Sequence, residues 1–152
     1  MRVLCTGATG FLGRAVMLEL RAQHHEAVGL SQRAGESTVH LWGDGTPTRE
    51  FLYVDDCARA VVQAMTMYGD PRPLNLGSGE EVTIARLAEM VAQAVGWRGE
   101  CLWDASKPNG QPRRFVDSSR ARARLEWSPQ VMLEEGLRRT VDWYMAQQAV
   151  VP

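Results

Sequence analysis

Lysine is almost missing from this chain: of its 17 basic residues only Lys107 is lysine, and the arginines gather into no long basic run. Against 18 acidic residues the formal net charge is -1, which excludes the electrostatic footprint of a nucleic-acid binder. Cysteine is scarce as well. Cys5, Cys57 and Cys101 lie far apart with no C-x-x-C pair, a pattern that suits reduced thiols better than a disulfide frame or a zinc site. His24, His25 and His40 lack metal-ligand spacing, so no metal is expected. No apolar run approaches a membrane span, and Met1-Arg2 leads into a glycine turn instead of a signal-peptide core; a soluble cytoplasmic protein is the expectation. The 152 residues suffice for one domain burying about two-thirds of its unfolded surface.

What is present begins with Val3-Leu4-Cys5-Thr6-Gly7-Ala8-Thr9-Gly10-Phe11-Leu12-Gly13-Arg14. An apolar run, three glycines spaced three apart and an immediate helical pattern predict a strand turning into a helix around a phosphate. Gly7 would permit the tight turn, Gly10 would let backbone N–H groups approach a pyrophosphate, and Gly13 would let the helix pack on the strand. Ala15, Val16, Leu18 and Leu20 continue the helical spacing, and Ala27-Val28-Gly29-Leu30 closes a β-α-β unit. The implied ligand is a dinucleotide, held by Gly7, Gly10, Phe11, Leu12, Gly13 and Arg14. The alternative is a tight strand-to-helix turn that holds nothing.

The second strand ends in Ser31-Gln32-Arg33, with no carboxylate before Glu36 to bond a ribose 2′-hydroxyl. Arg14 and Arg33 could face a 2′-phosphate, which favours NADP over NAD; the competing reading is two ordinary solvated charges. After Ala34 the pattern breaks. A complete dinucleotide-binding domain would go on alternating helices and strands, and none follow.

Instead, Thr38-Val39-His40-Leu41-Trp42 reads as a strand and Gly43-Asp44-Gly45-Thr46-Pro47 as a turn. The stretch from Arg49 to Asp56 runs into a helix that Asp55 or Asp56 could cap, with Ala58, Val61, Val62 and Met65 expected inward. Pro71 and Pro73 mark a loop, and Leu74-Asn75-Leu76 reads as a short strand. Thr83 opens an amphipathic helix with Ile84, Leu87, Ala88, Val91 and Val95 on its core face, ended by Gly96. Glu100-Cys101-Leu102-Trp103 reads as a strand, and the prolines, glycine and asparagine from Lys107 to Arg114 predict an irregular loop. Asp117 or Ser118 could cap a short helix through Leu125. A last helix is expected over about 133–145, with Leu133, Leu137, Val141 and Tyr144 inward.

The glycine turn, Val39-His40-Leu41-Trp42-Gly43-Asp44-Gly45, Arg49-Glu50-Phe51-Leu52-Tyr53-Val54-Asp55-Asp56 and Asn75-Leu76-Gly77-Ser78-Gly79 together resemble the extended short-chain dehydrogenase/reductase family of nucleotide-sugar epimerases, dehydratases and reductases. Within it, Asp104-Ala105-Ser106-Lys107-Pro108-Asn109-Gly110-Gln111-Pro112-Arg113-Arg114 resembles the GDP-L-fucose synthase group. The resemblance implies an α/β fold: a truncated Rossmann-like β-α-β unit over residues 1–36, joined to a small α/β substrate-binding lobe over 37–152. It also implies substrate contacts by Trp42, Arg49 and Arg114. An arginine can fork onto pyrophosphate oxygens and an indole can offer a face or an N–H. The bland alternative makes Trp42 a core aromatic and pairs Arg49 with Glu50 or Asp55. Asn109 stands where that loop usually has aspartate.

The family's chemistry uses a Tyr-x-x-x-Lys pair, and here no tyrosine stands four residues before a lysine: the residue four before Lys107 is Trp103. The chain thus resembles a family member without its centre. The expectation is a catalytically impaired remnant that binds NADP(H), a GDP-sugar or both. Two alternatives stand beside it: a self-associating interaction protein with a relic turn, and a minimal oxidoreductase with a replaced proton donor such as Tyr53. Strands left without neighbours predict a homodimer or larger assembly through unpaired sheet edges.

Overall fold

The computed structural model describes the backbone of residues 3–6 and 27–30, and residues 38–148 with side chains from 38 to 146. Strand β1 (Val3–Thr6) pairs in parallel with β2 (Ala27–Leu30), Val3 opposite Ala27 and Thr6 opposite Leu30. That parallel pairing agrees with the two strands of the β-α-β unit read from the sequence; the helix expected between them lies outside the described residues.

From residue 38 onward the chain builds two parallel pairs in series. Strand β3 (Thr38–Trp42) runs beside β6 (Glu100–Asp104), with Trp42 opposite Asp104. Both strands then cross a loop and enter a second sheet of order β5-β4-β7, made of β4 (Thr48–Glu50), β5 (Glu81–Thr83) and β7 (Arg113–Arg114). There β4 is antiparallel to β5 and parallel to β7. The run from Lys107 to Arg114 is therefore not wholly irregular. Its last two residues find strand partners in β4 once Pro112 has been passed, and the Pro112 carbonyl accepts from Thr48 N at 2.9 Å.

Four helices are described: α1 (Val54–Met67), α2 (Ile84–Ala94), α3 (Ser119–Leu125) and α4 (Leu133–Gln148). Thr83 caps α2 as its sequence promised, its hydroxyl accepting from Arg86 N at 3.1 Å, and Gly96 follows the helix at φ +69°. At α3 the first-turn amide of Ser119 is taken by Asp117 Oδ1 at 2.9 Å; Ser118 holds the cap position without a side-chain bond.

Helix α1 corrects the sequence reading twice. Asp55 and Asp56 do not cap it, because it begins at Val54 with Tyr53 as N-cap and no side-chain cap bond. Asp56 is instead buried at 1% exposure: Oδ1 accepts from Arg59 Nη2 (2.6 Å), and Oδ2 accepts from the amides of Gln130 and Val131 (2.9 Å each). Its carbonyl takes the indole N–H of Trp127 at 3.0 Å. That network, with the small side chain of Ala60, seats the helix against Ala121, Leu125 and Trp127. Ala58, Val61, Val62 and Met65 consequently turn outward, Met65 to 82% and Val62 to 61% exposure. The periodicity was compatible with two apolar faces, and the buried carboxylate with the small residues selected the other one.

Leu74-Asn75-Leu76 pairs with no strand among the described residues. Leu74 and Leu76 still alternate inward onto the Ala60–Trp127 core, while the backbone beside them has no neighbouring strand to form a ladder. Leu133, Leu137, Val141 and Tyr144 form the half-buried stripe expected of α4. Among the described residues no helix is long and apolar enough to cross a membrane.

Candidate functional site

The second sheet sorts its charges by face. On β4, Thr48 and Glu50 point one way and Arg49 the other, because side chains alternate along a strand. The register extends this across three strands: Thr48, Thr83 and Arg113 are partners on one face, while Arg49, Val82 and Arg114 are partners on the opposite one. Arg49 and Arg114, which the sequence set 65 positions apart, are direct neighbours across the parallel β4–β7 pair.

Every carboxylate of the first face is already engaged. Glu81 accepts from Thr48 Oγ1 (2.7 Å) and from Arg113 Nε (2.9 Å) and Nη2 (2.5 Å), and the Arg113 guanidinium holds its carboxyl below the ordinary glutamate range, with Thr48 adding to the effect. Glu50 accepts from Gly79 N through Oε1 (2.6 Å) and from Val116 N through Oε2 (3.1 Å). Arg49 therefore does not pair with Glu50, and no ion pair with Asp55 forms either. Its Nη1 donates to the carbonyl of Thr48 (2.7 Å). Among the described residues neither Arg49 nor Arg114 meets a carboxylate. Two cations directly opposite on one face are unfavourable by themselves, and an anion between them removes that cost.

Upstream, the loops leaving β3 and β6 are tied side by side. Gly43 N donates to Asp104 O (3.0 Å), and Asp44 N donates to Asn109 Oδ1 (2.8 Å). Gly43, at φ +83°, has Asn109 Oδ1 only 2.0 Å from where a Cβ would stand, so glycine alone fits there. Asp104 caps the return turn through Ser106 N and Oγ (3.0 and 2.5 Å), and this bonding lowers its pKa. Half-buried Trp42 carries the Lys107 ammonium 5.6 Å above its ring. Lys107 had no assigned role from the sequence, and its signal was there: it is the one lysine and it lies in the loop that bears the group's pattern.

Of the sequence-derived site residues, Trp42 ends β3 in the first sheet, whereas Arg49 and Arg114 lie in register on β4 and β7 of the second. Gly7, Gly10, Phe11, Leu12, Gly13, Arg14 and Arg33 lie outside the described residues. Tyr53, the alternative proton donor, packs against α4: the Cβ position of Gly136 is 3.1 Å from Tyr53 Cδ2, and the Arg139 guanidinium stands 5.7 Å from the ring.

The sequence profile of the family described as GDP-mannose 4,6 dehydratase matches residues 33–140. The chain belongs to that family. It is an extended short-chain dehydrogenase/reductase resembling GDP-L-fucose synthases, with 45% identity over 130 residues to GDP-L-fucose synthase 1 of Arabidopsis thaliana, covering 86% of this chain and 39% of the plant protein. Identity to the GDP-L-fucose synthase of Escherichia coli strain K12 is 38% over 142 residues, covering 88% of this chain and 43% of that one. Among solved structures, a UDP-glucose 4-epimerase from Thermotoga maritima, determined with UDP-glucose, superposes with a TM-score of 0.66 at 33% identity over 73% of this chain and 36% of the epimerase. The family member described here spans less than half the length of these curated relatives.

Proposed function

We propose that this chain binds the diphosphate of a nucleotide-sugar on the face shared by Arg49 and Arg114. The carrying observation is their register pairing with all nearby carboxylates directed to other donors. Each guanidinium can fork onto a phosphoryl oxygen pair. Trp42, steadied by Lys107, offers its indole to the base or sugar. The names of the relatives point to GDP as the nucleotide, and the UDP-glucose in the epimerase structure supports a sugar diphosphate as the ligand class. Titration with GDP, following the five tryptophans, tests the reading: saturable, salt-sensitive quenching supports it and no response contradicts it.

The cofactor we propose is a nicotinamide dinucleotide on the Gly7–Gly13 turn. In parallel register, the ends of β1 and β2 from which Gly7 and Arg33 follow lie at one edge of the strand pair, the side on which such cofactors bind. Arg14 and Arg33 would hold the 2′-phosphate of NADP; the group would supply hydride chemistry. Without a Tyr-x-x-x-Lys pair the chain lacks the family's proton donor, and we propose that it binds without reducing a keto-sugar. NADPH oxidation by the pure chain would contradict this.

Self-association is a second reading. Among the described residues β1 and β2 pair only with each other, which leaves their outer edges without a strand partner. A homodimer or larger homo-oligomer is expected by sedimentation at micromolar concentration, and a monomer contradicts it.

A further inference from the structure

We infer that Glu50 is a positioning residue that holds Arg114 opposite Arg49. The inference rests on the diphosphate reading and goes beyond it, since Glu50 faces away from the anion.

The β4–β7 ladder is short. Two residue pairs join the strands, Thr48 with Arg113 and Arg49 with Arg114, and β7 itself is two residues long. Such a strand needs support at its open end. Glu50 provides it from the next position of β4, where Oε2 accepts the amide of Val116, two residues past Arg114, at 3.1 Å. Its other oxygen accepts Gly79 N at 2.6 Å, in the loop that leads into β5. One carboxylate therefore fastens both flanking strands of the sheet to its central one. Charge-assisted bonds to backbone N–H groups are stronger than neutral ones, which suits a two-pair strand.

The approach is built for this carboxylate. A Cβ on Gly77 would stand 2.5 Å from Glu50 Oε1 and 2.8 Å from its carboxyl carbon, so the side chain lies where only glycine leaves room. Engaged in this way, Glu50 is also unable to neutralise Arg49, its neighbour in sequence. The same two bonds thus fix where one arginine sits and keep the other available to an anion.

Glu50→Gln keeps the size and exchanges one acceptor oxygen for an NH2 group, so one of the two amides loses its acceptor and the other keeps only a neutral one. GDP affinity, read by calorimetry, is expected to fall about tenfold, and Arg114→Ala to lower it at least as far. Because Glu50 acts through Arg114, the double variant binds no more weakly than Arg114→Ala alone. Gly77→Ala displaces the carboxylate without altering its charge. It is expected to weaken GDP binding in the parent chain and to weaken it less once Glu50→Gln is present. Hydrogen exchange supplies a ligand-free readout, with at least one of the Gly79 and Val116 amides, the one left facing the NH2 group, losing protection in Glu50→Gln. Parent-like GDP affinity in Glu50→Gln, or additive losses in the double variant, would overturn the inference. If the parent chain takes up no GDP, the diphosphate reading falls by itself; the two amides then decide the positioning role, faster exchange supporting it and unchanged exchange overturning it.

Discussion

Arg49 and Arg114 stand side by side across a parallel strand pair, each without a carboxylate among the described residues, on the face opposite Glu50, Glu81 and Arg113. That sheet satisfies the carboxylates of one face and leaves two cations in register on the other, the face on which we propose the anion binds.

Removing either cation should therefore cost binding and spare the fold. Arg49→Ala and Arg114→Ala each lose charge-assisted hydrogen bonds worth about 1.5–3 kcal/mol, roughly a 10- to 150-fold weaker affinity for GDP. Arg113→Ala, on the satisfied face, leaves GDP affinity close to the parent value. Calorimetry on the three variants at two salt concentrations checks this, with the salt dependence reduced only in the first two.

Asp56 is the opposite kind of residue, with no role at the site and a large one in stability. Its carboxylate is buried and accepts from Arg59, Gln130 N and Val131 N, so Asp56→Ala strands two backbone donors and a guanidinium. A loss of about 3 kcal/mol is expected in urea unfolding, with the slope unchanged.

The outward face of α1 gives a test of orientation. Val62→Lys and Met65→Lys replace side chains that are 61% and 82% exposed and should change stability by no more than about 0.5 kcal/mol. Were that face inward, as the periodicity first suggests, each would cost several times as much. Chemical denaturation distinguishes the two.

Acid titration should pick out Glu135. The Arg138 guanidinium, followed by that of Arg139, holds its carboxyl at about 2, against 4.5 for an ordinary glutamate. Because the folded value is the lower one, the stabilisation from this group is present above the ordinary value and is lost as pH falls toward about 2. Carboxyl-detected NMR should place the Glu135 midpoint in that low range, and Arg138→Ala should raise it.

Much of this was legible beforehand. Thr83 before an apolar 3.6-residue stripe announced α2, and Gly96 its end, because capping and glycine chemistry are local. The strands Thr38–Trp42 and Ala27–Leu30 were equally plain. Helix α1 was not, since Val61, Val62 and Met65 make as good an apolar stripe as the face actually buried; only contacts with Trp127 and residues 130–131, some 70 positions away, separate the two. The strand at Arg113–Arg114 was hidden for a similar reason. Two residues carry no periodicity, and their strand character comes from Thr48 and Arg49. At the site, the identities of Trp42, Arg49 and Arg114 came from family resemblance, whereas the register of the arginines, the Lys107–Trp42 contact and the part played by Glu50 are tertiary facts.

The most direct test of the central claim is a calorimetric titration of the parent chain and of the Arg49→Ala/Arg114→Ala double variant with GDP. The account predicts saturable binding by the parent, weakening as salt rises, and its loss in a double variant that still unfolds cooperatively. Equal GDP binding by the two chains, or none by the parent, would contradict it.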